Sequence, residues 1–229
     1  MDIKQFKCDI VDSNSWLMVK DKHALLIDAV LNNDLMKRLE YLDDLVVILT
    51  HAHFDHIIGL NYIRKLVSNT KVISTALCSE YMGSVYKNMS SVATTYISMA
   101  YGINDNTLIK PFTCEKSDMI FDKEIVIDWY GNEIKLKSVQ GHSKDGLIVI
   151  LNNELLFSGD TLLNNPTVTK FPTGNSKRFW DEDIPFLKSL SHIKLVYPGH
   201  GDSNEINTML QFNIMPQNIT KSIKISNNT

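Results

Sequence analysis

Cysteine, proline and glycine are scarce in this chain, with three, six and ten among 229 residues. Cys8, Cys78 and Cys114 lie far apart and form no CxxC pair. An odd, sparse set of thiols argues against a disulfide framework and fits a reducing compartment, so a cytoplasmic location is expected. Each cysteine reads as a small buried hydrophobe rather than a reactive thiol. An excess of one charge is also missing. Lys and Arg number 23 against 26 Asp and Glu, a formal charge of -3, with a pI near 6.1. That balance gives no electrostatic case for nucleic acid, and no Lys/Arg run marks a membrane surface. No apolar run approaches the roughly 20 residues needed to span a bilayer. The start, Met1 to Phe6, carries charges where a signal peptide needs an apolar core. The expected partner is a small molecule, with no nucleic acid and no membrane, and a homo-oligomer is compatible with this composition.

What is present is ordinary globular material, 44% hydrophobic and 21% charged. The length suits a single domain over residues 1–229, and no low-complexity linker divides it. Residues 16–20 and 23–28 read as strands. Leu35, Leu39 and Leu42 give helical spacing over 33–42, with Asn32 or Asn33 as the cap. Residues 45–49 form an apolar run of buried-strand length. A helix from Ile57 to Leu66 and a strand at 71–74 follow. Residues 77–105 suggest a helical insertion. The second half reads as strands at 119–121, 125–127, 134–139, 147–151 and 154–157, a helix at 180–191 and a strand at 194–197. Gly131-Asn132 and Asn152-Asn153 mark turns. The tail from about 216 is polar and expected to be partly mobile. The βα-then-β order occurs about twice, which predicts an α/β or α+β fold with two similar halves face to face.

The most informative stretch is Thr50-His51-Ala52-His53-Phe54-Asp55-His56, directly after Leu45-Val46-Val47-Ile48-Leu49. Three of the chain's seven histidines fall within six positions. Imidazole and carboxylate are the nitrogen and oxygen donors that borderline metals such as zinc prefer. Three further strands end in the same way. Gly141 precedes His142, Gly159 precedes Asp160 and Gly199 precedes His200. A lone histidine of this kind is more often a hydrogen-bonded loop residue. Four strand ends carrying such residues make that account a run of coincidences.

The set His51-x-His53-x-Asp55-His56, then His142, Asp160 and His200, resembles the full ligand set of the metallo-β-lactamase superfamily. The resemblance covers roughly residues 10–215. It implies a four-layer αββα sandwich with the site at one edge between two sheets. It also implies two metal ions. His51, His53 and His142 would hold the first, Asp55, His56 and His200 the second, and Asp160 would bridge them. Two metals about 3.5–4 Å apart can keep a bridging hydroxide at neutral pH, which attacks an electrophilic carbon or phosphorus. By the same resemblance Asp55 is the proton carrier, and Asp28 supports the ligand loop. The competing reading of Asp28 is a capping acid for residues 33–42. Relatives with redox di-iron chemistry typically carry Glu at the position of His53, so two zinc ions are expected, with iron or manganese as alternatives.

Gly141-His142-Ser143, Ser158-Gly159-Asp160-Thr161, Phe171-Pro172-Thr173-Gly174-Asn175 and Tyr197-Pro198-Gly199-His200-Gly201 resemble the glyoxalase II-like branch, whose members hydrolyse thioesters. The chain departs from that branch at Gln140, where Pro is common, and at Asp28-Ala29-Val30, where Gly usually follows the Asp closely. It has 29 residues after His200, too few for the helical glutathione-binding domain of glyoxalase II. The expected activity is hydrolysis of a small thioester, lactone or related ester. A β-lactamase role usually goes with export. A nuclease or phosphodiesterase would want a basic surface, and a mono-iron sulfur dioxygenase needs fewer ligands. Lys170 is the candidate substrate contact, and Lys177 and Arg178 read as solvated cations. Tyr81, Met82, Tyr86, Met89, Tyr96, Met99 and Tyr101 read either as an apolar wall over the site or as helix core.

Overall fold

In chain order the elements are β1 (Ile3–Lys7), β2 (Asn14–Lys20), β3 (His23–Ile27), α1 (Asn33–Leu39), β4 (Asp44–Ile48), α2 (Phe54–Ile57), α3 (Leu60–Leu66), β5 (Thr70–Thr75), α4 (Ala76–Tyr81), α5 (Ala93–Tyr101), β6 (Met119–Phe121), β7 (Glu124–Trp129), β8 (Asn132–Ser138), β9 (Leu147–Leu151), β10 (Leu155–Gly159), α6 (Ser176–Arg178), α7 (Ile184–Ser189), β11 (Leu195–Pro198), β12 (Asn204–Glu205) and α8 (Ile206–Ile214). This computed structural model describes residues 2–102 and 109–214. The end of the expected helical insertion, 103–105, and the expected tail from 216 lie outside the described residues.

The strands form two six-stranded sheets, ordered β1-β2-β3-β4-β5-β6 and β12-β11-β10-β9-β8-β7. Side chains alternate across each strand, and this sorts the apolar residues into three cores. Leu25, Ile27, Ile48, Leu147, Val149 and Phe157 meet between the sheets. Ala24, Leu26 and Val47 on the other face of the first sheet pack against Leu35 and Leu39 of α1 and Ile63 of α3. Ile148, Ile150 and Val196 on the outer face of the second sheet pack against Leu187 of α7 and Met209 of α8. Three cores between four layers make the αββα sandwich. They also explain why β4 and β9 are apolar almost throughout, since both faces of these strands are covered.

Asn32 caps α1, its side chain accepting from the Leu35 amide at 2.8 Å. The expected helix from Ile57 to Leu66 is instead two helices. They break at Gly59, where a Cβ would lie 2.4 Å from the Val30 carbonyl oxygen. The chain passes too close to the β3–α1 loop for any side chain there. Strands β1 and β12 and helix α8 lie outside the sequence expectations. Strand β1 is half exposed and β12 is two residues long, so neither carries a clear period-2 pattern. Where one helix was expected over 180–191, a short turn at α6 and a π-turn at Phe179–Asp183 lead into α7. Among the described residues no helix is long and apolar enough to cross a membrane.

Candidate metal centre

The carboxyl ends of β4, β8, β10 and β11 converge at one edge of the sandwich. After β4 the chain supplies His51, then His53 just before α2, then Asp55 and His56 within α2. The β8–β9 loop brings His142, and Asp160 directly follows β10. His200 follows β11 and pairs with Ser13 through an isolated antiparallel bridge. Three groups place their donor atoms within 4.8 Å of one another: His51, His53 and His142; His51, His56 and Asp160; and Asp55, His56 and His200. Asp160 lies among the imidazoles, with one oxygen 3.4 Å from His56 Nε2 and the other 3.6 Å from His142 Nε2 and 3.4 Å from His200 Nε2. Asp55 Oδ2 is 3.2 Å from His200 Nε2 and 3.7 Å from His56 Nε2.

Each of the five imidazoles has one nitrogen tied outward. His142 Nδ1 meets the Val168 carbonyl at 2.8 Å. His56 Nδ1 meets Asp28 Oδ2 at 2.9 Å, and His200 Nδ1 meets Asp12 Oδ1 at 2.9 Å. These three partners only accept, so the Nδ1 atoms carry the protons and the Nε2 atoms face inward. His51 Nδ1 lies 3.0 Å from Thr50 Oγ1 and His53 Nε2 lies 2.9 Å from Thr173 Oγ1. His53 thus turns Nδ1 inward, 3.2 Å from His142 Nε2. Outer partners of this kind fix ring orientation and tautomer for metal binding.

Electrostatics fits the same use. Burial pushes His51 and His53 down, His53 to about 3, and also lowers His142. These rings are neutral, as ligands must be. Burial opposes protonation of His56 and His200 as well, but Asp160 outweighs it, together with Asp55 and Asp28 at His56 and Asp12 and Asp55 at His200. Both are held well above the ordinary histidine value. The acids therefore draw positive charge to this spot. His51 Nε2, His56 Nε2 and Asp160 Oδ1 are buried with no hydrogen-bond partner. Leaving such atoms unpaired is costly, and a cation would satisfy all three. At Gly199 a Cβ would sit 2.1 Å from Asp160 Oδ1 and 2.8 Å from His56 Cε1. The residues present fit a metal.

The structure brings together all seven sequence-predicted ligand candidates. Asp28 is also at the centre. It accepts from the Thr50 amide at 2.7 Å and the Thr50 hydroxyl at 2.8 Å besides facing His56, while the cap of α1 is Asn32. Lys170 is exposed and does not line the cavity over the centre. Lys177 and Arg178 pair with Asp181 and Glu182. Sequence reasoning missed Asp12, Thr173 and Asp145. Asp145 is buried and accepts from the Ala52 amide at 2.7 Å, which fixes the backbone between His51 and His53. Its position three residues after His142 was the available signal. A larger groove of about 420 Å³ beside the His142 loop, lined by Lys137, Arg178 and Glu182 among others, holds none of the three donor groups.

Facing sheets with a His/Asp centre at their strand ends define a class of metal-dependent hydrolases. The family model of the metallo-β-lactamase superfamily matches residues 8–200, and the chain belongs to this superfamily. A probable metallo-hydrolase of Streptococcus pyogenes serotype M6 is 25% identical over 205 residues, covering 86% of this chain and 82% of that protein. A hydroxyacylglutathione hydrolase of Prochlorococcus marinus is 25% identical over 213 residues, covering 90% of this chain and 71% of that protein. The crystal structure of BLEG-1 B3 metallo-β-lactamase superposes with a TM-score of 0.73 at 22% identity, covering 93% of this chain and 98% of that one. That last likeness speaks for the fold. The chain is thus a superfamily hydrolase with a His/Asp metal-binding cluster.

Proposed function

We propose that the chain is a two-metal hydrolase of a small thioester, lactone or related ester-like bond, close in kind to the glyoxalase II-like branch. The observation that carries this is the set of five imidazoles, each tied outward at one nitrogen and turned inward at the other, around Asp55 and Asp160. In this reading His51, His53 and His142 would hold one ion, Asp55, His56 and His200 would hold the other, and Asp160 would serve both. Nitrogen-rich donors, with His53 in place of a carboxylate, support zinc; iron and manganese are the alternatives that metal analysis separates. When bound, the ions supply an acidified water and a Lewis acid for the substrate oxygen.

The chain's own residues do the rest. Asp55 is buried but borders the cavity, so it is placed to take up a proton and pass it to the leaving group. Val168, Asp28 and Asp12 keep a proton on the outer nitrogens of His142, His56 and His200. The inner nitrogens are therefore the ones a metal would take, displacing the inner protons that the acids hold on His56 and His200. Phe54, Met89 and Phe171 border the cavity and limit the water that reaches it. Three unpaired cysteines, all buried, support a cytoplasmic setting. A panel of lactoyl-glutathione, an acyl-CoA, a homoserine lactone, nitrocefin and a phosphodiester tests the reading. Turnover of a thioester or the lactone is expected, with loss in Asp160→Ala in a folded chain. Turnover of the phosphodiester alone would contradict it.

A further inference from the structure

One wall of the cavity takes no part in holding metal. Phe54, Met89, Tyr96 and Phe171 complete the lining around the ligand candidates, and no Lys or Arg among the described residues joins them. Phe171 stands edge-on to His53 and His142, with ring centroids 5.4 and 5.5 Å away. Tyr96 leans edge-on to Phe54 at 6.2 Å and is 40% exposed, which puts it at the mouth. Burial and the nearby Asp55 push the Tyr96 hydroxyl up, so it stays neutral.

Met89 reaches this wall from a backbone conformation that side chains avoid, with φ at 62°. Its neighbours enforce it. Asn88 is fully buried, donates to the Phe112 carbonyl at 2.8 Å and accepts from the Ser90 amide at 2.8 Å. The Ser90 hydroxyl donates to the Phe112 carbonyl at 3.0 Å and accepts from the Phe112 amide at 3.1 Å. A strained residue pinned on both sides is a mark of functional placement. The free space is about 40 Å³, room for roughly three water-sized groups. The charged side chains that line the cavity apart from histidine are the carboxylates Asp55 and Asp160, which the ions would engage, so the apolar wall itself offers no cation to pair a substrate carboxylate.

Resting on the hydrolase reading, we propose that Phe54, Met89, Tyr96 and Phe171 form an acyl pocket that accepts short, uncharged aliphatic acyl groups and rejects those ending in a carboxylate, with Met89 as the residue that sets the selection. The test uses the metal-loaded full chain and two thioesters of one thiol, S-butyryl- and S-succinyl-N-acetylcysteamine. A preference for butyryl of about tenfold or more in kcat/KM is expected, because a buried unpaired carboxylate is strongly disfavoured. Met89→Lys should narrow or reverse the preference. Met89→Gly, which relieves the left-handed strain but gives up packing against the core, should lower kcat/KM for butyryl in a chain that still folds. Calorimetric binding of butyrohydroxamate against succinic monohydroxamate reads the same preference without turnover. Equal or better handling of the succinyl compounds in either assay overturns the pocket. Cleavage of neither thioester, with butyrohydroxamate still preferred, overturns the thioester part of the hydrolase reading and leaves the pocket standing.

Discussion

Asp12 does two things at once. It accepts from His200 Nδ1, and it also accepts from the Tyr101 hydroxyl of α5. His200 holds it well below the ordinary carboxylate range, against the opposing effect of burial. Asp12→Asn removes the charge and leaves the shape. We expect roughly 10–100-fold weaker metal binding, measured by chelator competition, in a chain that keeps its fold. Unchanged affinity would show that Asp12 does not position His200. The sequence offers no hint of this role. Asp12 stands 188 residues from His200, and only the fold brings them together, through the bridge between Ser13 and His200 and the bonds of Asn14 to Pro198, Gly199 and Gly201. The ligand candidates were legible because imidazoles are rare in this chain and each follows an apolar run. Thr173 and Val168 act through a hydroxyl and a carbonyl that any loop offers, so nothing local distinguishes them.

Strands were easier to read than the turns between helices. Strand β9 shows its ends in its apolar residues, because both faces are buried. The break between α2 and α3 was hidden, because the Gly59 amide bonds to the Ala29 carbonyl at 2.8 Å instead of continuing a helix, and Ala29 lies elsewhere in the sequence. The π-turn was hidden for a related reason. It carries Asp183, which accepts from the Gly141 amide at 2.7 Å and so anchors the loop of His142 from outside. Burial pushes Asp183 up to about 6 from its ordinary 3.8 despite the amides. The folded chain therefore binds this proton more tightly than the unfolded chain. The resulting stability is fully present below about pH 4 and lost as pH rises through about 6. The shift of about two units corresponds to up to about 3 kcal/mol. Denaturation midpoints of wild type and Asp183→Asn between pH 4 and 7 should show this fall in the wild type and a flatter profile in the variant. Parallel profiles would remove Asp183 from the account.

At the scale of the molecule, the two sheets share the centre. The first sheet supplies His51, His53, Asp55 and His56 from the end of β4, and the second supplies His142, Asp160 and His200. The core between the sheets sets their spacing, and Trp16 of β2 helps by donating to the Pro198 carbonyl at the end of β11 at 3.0 Å. Binding at such a centre draws on both halves of the fold, so metal affinity and folding are linked. The direct measurement is a calorimetric zinc titration of chelator-treated protein, read alongside hydrolysis. The account predicts two equivalents per chain for the wild type, one tight equivalent in His200→Ala, and hydrolysis that needs both. Saturation of the wild type at a single equivalent with full activity would contradict it.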